Sequence, residues 1–123
     1  MITSYATLIP ATATKVFVSS TTGASIGGAV TGQVNAITTI ALCNTGAPTL
    51  TDETINSVTV NIYFVKSGFT YAPYNLVVNR LIIPAGETVF FSEERIVLDG
   101  GDEIWVNPSV ADLLAVTVST LPV

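Results

Sequence analysis

A chain of 123 residues suffices for one domain, and dividing it would leave two pieces with inadequate cores. Hydrophobic residues make up 49% of the chain and charged residues only 11%, where roughly a quarter is usual in a soluble domain. Nine acidic residues against four Lys and Arg give a net charge of −5, which disfavours nucleic acid and anionic membrane surfaces as partners, since both attract basic side chains.

The low charge has two readings. Thr and Ser can cover the outer faces of a two-sheet core in place of charges. Alternatively, neighbouring subunits cover much of the surface, because contact cores are depleted of charged residues. No apolar run approaches the ~18 residues of a membrane-crossing helix. The start, Met1-Ile2-Thr3-Ser4, lacks the basic and apolar regions of a secretory leader. The expectation is a protein made and assembled in a cytoplasm.

Along the chain, the hydrophobic period is close to two and β-branched residues dominate. Residues 1–11, ended by Pro10, show no pattern and read as an arm, mobile or docked on a partner. A strand is predicted over 12–19, with Val16 and Val18 on one face and Lys15 and Phe17 on the other. Residues 21–32 are rich in Gly, Ser, Thr and Ala, as in a flexible connection or β-arm. Residues 1–32 are therefore read as an N-terminal arm carrying one strand and a Gly-rich connection, and 33–123 as the sandwich. The whole reads as one domain.

The next strand, over 34–44, has apolar or Thr side chains on both faces and reads as a central strand covered on both sides. Asn44-Thr45-Gly46-Ala47-Pro48 is turn chemistry, and a polar loop with Asp52 and Glu53 follows. The strand over 57–66 alternates most cleanly, with Val58, Val60, Ile62 and Phe64 inward and Thr59, Asn61 and Tyr63 outward. A loop carrying Phe69, Tyr71, Pro73 and Tyr74 precedes a strand over 75–83. Pro84-Ala85-Gly86 turns the chain into strands over 87–92 and 96–98, separated by Glu93-Glu94-Arg95.

Asp99-Gly100-Gly101-Asp102 reads as a hairpin turn, because Gly tolerates positive φ. Strands over 103–107, anchored by Trp105, and 114–120 complete the chain, with room for one helical turn at 109–113. The predicted fold is all-β: a seven- to eight-stranded antiparallel β-sandwich, immunoglobulin-like or jelly-roll-like, with an extended N-terminal arm.

Little here points to catalysis. There is no histidine, hence no usual general base or nucleophile partner. Cys43 is the single cysteine, so an intramolecular disulfide and a His/Cys zinc site are both excluded, and it reads as a buried, inert thiol. No Gly-x-Ser-x-Gly elbow or phosphate-binding loop occurs. Glu93 and Glu94 are adjacent, so on a strand end they point to opposite faces, a poor geometry for a glycosidase pair. They read better as an edge-protecting charge run. Asp99, Asp102 and Glu103 are the one oxygen-rich candidate for a cation, but their spacing is not that of an EF-hand, and a plain acidic turn is the favoured reading. No cofactor or metal is expected.

The stretch Phe69-Thr70-Tyr71-Ala72-Pro73-Tyr74 is the leading surface candidate. Rings on a loop can anchor a protein interface, stack on sugars or cap the end of a sandwich. Phe69, Tyr71 and Tyr74 are taken as interface anchors. A carbohydrate-binding or adhesin-like module is the alternative from another functional class.

From residue 36 to 119, the order of elements resembles the small β-sandwich structural proteins of tailed-bacteriophage virions. The residues that carry the resemblance are Leu42-Cys43-Asn44, the alternating strand over 57–65, and Ile82-Ile83-Pro84-Ala85-Gly86-Glu87-Thr88. Ile96-Val97-Leu98, Gly101-Asp102-Glu103-Ile104-Trp105-Val106 and Ala115-Val116-Thr117-Val118-Ser119 complete it. Residues 1–35 have no counterpart. The resemblance implies a non-enzymatic virion protein, made in the host cytoplasm. It would be a homo-oligomeric capsid decoration (cement) subunit bound to the major capsid protein, or a neck or tail component.

Overall fold

The computed structural model describes residues 2–5, 9, 11–18, 35–49, 51, 55–92, 96–99 and 101–122. The Gly-rich connection, Asp52, Glu53 and the run from Glu93 to Arg95 lie outside the described residues. The strands are β1 (Ile2–Tyr5), β2 (Thr14–Val18), β3 (Asn35–Asn44), β4 (Val58–Val65) and β5 (Leu76–Ile83). They continue with β6 (Thr88–Phe91), β7 (Ile96–Leu98), β8 (Glu103–Pro108) and β9 (Leu114–Pro122).

The strands form two antiparallel sheets. One runs β1-β9-β3-β6, with β7 also on β3; the other runs β2-β8-β4-β5. β6 pairs with the second half of β3 and β7 with its first half, so the two are one edge strand with an interruption. Counted so, the order is that of an eight-stranded jelly roll. Every connection passes from one sheet to the other except the one between β4 and β5. The expected all-β antiparallel sandwich is thus present, in its jelly-roll form.

The core lies between the sheets. Ile40, Leu42, Val116 and Val118 of one sheet meet Val60, Ile62, Ile104 and Val106 of the other, all essentially without exposure. In β4 the alternation places Val58, Val60 and Ile62 inward as expected, but Phe64 is only half-buried and Tyr63 is buried. Elsewhere bulges break the period. Lys15 faces Trp105 and Phe17 faces Ile104, leaving Val16 as the extra residue, so Val16 and Phe17 are both fully buried. The expected grouping of Phe17 with Lys15 is corrected accordingly. An irregularity between Ile37 and Thr39 likewise turns both Ile37 and Ile40 inward. β3 is central in its sheet, but its second face, with Ala41 and Cys43, is half-buried rather than covered.

The N-terminal residues differ most from the expected arm. Ile2–Tyr5 pairs with β9. Ile9 is 1% exposed, its N–H donates to the Leu114 carbonyl at 2.9 Å, and its carbonyl accepts from the Asp112 N–H at 3.0 Å. An edge strand held by backbone pairing needs no alternating side chains, so Ile2–Tyr5 can form a strand without a clear pattern. The 99–102 turn also differs. Gly101 has φ 91° and the Asp102 N–H donates to the Asp99 carbonyl at 3.0 Å, yet β7 and β8 belong to different sheets. Turn chemistry fixes a reversal, not the neighbour the next strand takes. Residues 109–113 are bends and turns, and the helical turn is instead the 3-10 segment Pro73–Asn75.

Candidate interaction surfaces

The loop between β4 and β5 is built by its own polar groups. The Phe69 N–H donates to the Lys66 carbonyl at 2.9 Å across a turn in which Gly68 has φ 84°, a value Gly adopts without strain. Asn75 then braces the loop from inside: its Oδ1 accepts from the Ala72 N–H at 2.9 Å, and its Nδ2 donates to the Thr70 carbonyl at 2.9 Å. Pro73 opens the 3-10 turn, where its fixed φ suits a first helical position.

This architecture folds the loop back over the outer face of the four-stranded sheet. The Tyr71 ring lies 5.5 Å from Tyr63 and 5.0 Å from Trp105, centroid to centroid. Trp105 is held in turn by Glu103, whose Oε1 accepts from the indole Nε1 at 2.8 Å. Glu103 Oε2 pairs with Lys15 Nζ at 2.9 Å, and that ammonium lies 5.5 Å from the Trp105 ring centroid. Each group satisfies or covers the next, so Tyr71 ties the loop down while Phe69 and Tyr74 stay 60% and 71% exposed. Of the three residues expected as anchors, one therefore packs within the chain and two present free rings.

Replacing Tyr71 by Ala should lower stability by about 1–2 kcal/mol, from lost ring packing and burial. It should also speed hydrogen exchange across residues 67–75. Chemical denaturation and exchange mass spectrometry would read both, and unchanged exchange would mean that the loop is held without Tyr71.

The acidic turn works structurally. Asp102 accepts from the Ser67 N–H through Oδ1 and from the Asp99 N–H through Oδ2, both at 3.0 Å. Glu103 points to Lys15 and Trp105, so two of the three carboxylates considered for a cation, those of Asp102 and Glu103, are engaged in separate contacts. Among the described residues, no three His, Cys, Asp or Glu side chains come together as a metal site. Glu93 and Glu94, weighed as a glycosidase pair, lie outside the described residues.

A second surface lies on the opposite side of the molecule. None of the five strands β1, β9, β3, β6 and β7 contains an Asp, Glu, Lys or Arg, whereas the four-stranded sheet carries Lys15, Arg80 and Glu103. The outer face of the five-stranded sheet presents Phe90 and Val97, 63% and 57% exposed, beside the small residues Ala41, Cys43, Ala115 and Thr117. Cys43 is half-buried on this face, a correction to the expected buried thiol; the period of β3, counted from Leu42, turns it outward. Phe90 was legible in the same way, flanked by the inward Val89 and Phe91.

Between β5 and β6 with β7, which are edge strands among the described residues, the core opens into an apolar cleft of about 210 Å³ lined by Ile40, Ile62, Phe64, Val78, Phe91 and Ile96. No family model, curated protein or solved structure matches this chain.

Proposed function

We propose that this protein is a non-enzymatic structural component of a bacteriophage virion, a capsid decoration subunit that stabilises a shell through subunit contacts. The observation that supports this most is the β4–β5 loop, whose backbone is braced by Asn75 and which leaves the Phe69 and Tyr74 rings exposed to solvent. Pre-organised aromatic anchors bind a protein partner without first having to be ordered. The low charge and the resemblance of residues 36–119 to phage β-sandwich proteins support the major capsid protein or another virion protein as the partner. A neck or tail position is the variant of the same reading. The jelly roll serves viral shells and lectins alike, so the fold alone does not choose between them.

The test is co-sedimentation with shells from the same source. The wild-type chain should pellet with them, and Phe69→Ala with Tyr74→Ala should weaken binding at least about tenfold, as for interface anchors. Shells that leave the chain in the supernatant would overturn the proposal. A carbohydrate-binding reading is supported by the same exposed rings, since Phe69 and Tyr74 could stack on sugars. Binding on a glycan array, lost in Tyr74→Ala, would favour it.

A further inference from the structure

We infer that a depression at Arg80, on the outer face of the four-stranded sheet, binds an acidic sugar and holds its carboxylate on the guanidinium. The inference goes beyond the decoration reading and does not rest on it.

The site begins with a bulge. Val60 pairs with Leu81 and Ile62 with Val78, so β5 carries one residue more than β4 over this span, and Asn79 and Arg80 together face Asn61. Arg80 takes the left-handed position of the bulge, with φ 58°, a place that Gly usually fills. Among the described residues, the other non-Gly residues with positive φ are Asn56 and Asp112, whose short polar side chains tolerate it. Arg has no such local compensation, and backbone strain of this kind gathers at ligand sites. A charge that merely guarded the edge of β5 would need neither this backbone nor the groups beside it.

The bulge brings Arg80 to a depression of about 270 Å³ lined also by Thr59, Asn61, Asn107, Pro108 and Ser109. The Arg80 N–H donates to Asn61 Oδ1 at 2.8 Å, which commits that oxygen and leaves Nδ2 as the donating end of the amide. Asn107 pairs directly with Asn61 across the strands, and its half-buried side chain bonds to no described residue. Ser109 Oγ accepts from the Thr59 N–H at 2.9 Å, so its own hydrogen is left to donate. Among the described residues the only ion pair joins Lys15 to Glu103, so the Arg80 guanidinium meets no carboxylate of its own chain there.

This set of groups selects the ligand. A guanidinium fork matches a carboxylate through two parallel hydrogen bonds. Asn amides and Ser and Thr hydroxyls both donate and accept, which suits the hydroxyls around a sugar acid. A peptide acid has no hydroxyls beside its carboxylate to meet them. The net charge of −5 repels a multiply charged anion more than a single carboxylate, which counts against phosphate. Tyr63 faces Trp105 one outward row from Asn61 and Asn107, about 7 Å along the strands. The exposed Tyr71, resting on both of those rings, therefore stands beside the depression as a surface for a neighbouring sugar ring.

NMR titration of the isotope-labelled chain tests this, with sialyllactose and methyl glucuronide as the acidic sugars. Lactose and methyl glucoside are their neutral counterparts, and an acetylated tripeptide acid and inorganic phosphate are the other anions. The acidic sugars should shift Asn61, Arg80 and Asn107, and every other probe should bind at least about tenfold more weakly. Arg80→Gly should weaken acidic-sugar binding about tenfold or more without lowering the melting temperature, because Gly accepts the positive φ. Asn107→Ala should weaken it about fivefold. Lys66→Ala removes a charge outside the depression and should leave it unchanged. Failure of both acidic sugars to bind overturns the inference, as does equal binding of the neutral sugars, the peptide acid or phosphate. Binding kept in Arg80→Gly and lost in Tyr74→Ala would assign the sugar to the aromatic loop and overturn this site. A chain that pellets with shells and ignores acidic sugars would reject the site and leave the decoration reading standing.

Discussion

Replacing Asn44 by Leu is expected to destabilise the protein by about 3–5 kcal/mol, since at least two buried polar groups lose their partners and each such loss costs about 1–3 kcal/mol. Asn44 ends β3 and is fully buried. Its Nδ2 donates to the Ile83 carbonyl at 2.9 Å and the Asn56 carbonyl at 2.7 Å, and its Oδ1 accepts from the Gly46 N–H at 2.9 Å. Its backbone is also engaged: the N–H donates to the Glu87 carbonyl and the carbonyl accepts from the Gly86 N–H. One side chain thus ties the end of β3 to the end of β5 and to the loop between β3 and β4. Asn44→Asp keeps the acceptor for Gly46 but sets a carboxylate against two carbonyls, and should be at least as damaging. Urea unfolding measures both. A loss below about 1 kcal/mol in each would mean that the orphaned groups find other partners, the usual alternative being water.

Ile9→Ala is expected to cost about 3 kcal/mol, the usual range for removing a fully buried Ile side chain being 2–5 kcal/mol. The value discriminates between two views of the N-terminus. A side chain on an arm that docks only to a partner would contribute almost nothing to the stability of the isolated chain. Ile9 instead sits in the core, with its N–H and carbonyl bonded on either side of the turn before β9. Thermal or urea unfolding of the isolated chain decides the matter, and a change within about 0.5 kcal/mol, typical of surface positions, would favour the arm.

Period-two patterning made β4, β8 and β9 legible, because each buries one face and the burial repeats with the pleat. It failed where the backbone departs from the pleat. The bulges at Val16 and Thr38 each insert one residue, and nothing in Lys15-Val16-Phe17 or Ile37-Thr38-Thr39 marks that insertion. Arg80 is a further case. Its φ of 58° and its N–H bond to Asn61 Oδ1 at 2.8 Å accompany a register irregularity between β4 and β5. Sheet membership was equally hidden, since the turns at Pro84–Gly86 and Asp99–Asp102 look like hairpin turns and serve as crossings between sheets.

The aromatic loop was legible as a cluster, but not the division of labour within it. Whether Tyr71 or Tyr74 reaches back to Trp105 depends on where Asn75 and Gly68 bend the chain. Asn44 read as a turn residue because its partners, at Asn56 and Ile83, are remote in sequence.

The position of β9 bears on how the protein is made. It lies between β1 and β3, and is synthesised after every strand it joins. Until it leaves the ribosome, β3 offers a long uncharged row of unpaired amides and carbonyls, and β1 has no strand to pair with. The five-stranded sheet therefore closes only after translation of its final strand, by pairings distant in sequence, which are slow to form. A nascent chain stalled before residue 114 would carry its most adhesive edge open, and high-level expression should reward a slower, cooler synthesis.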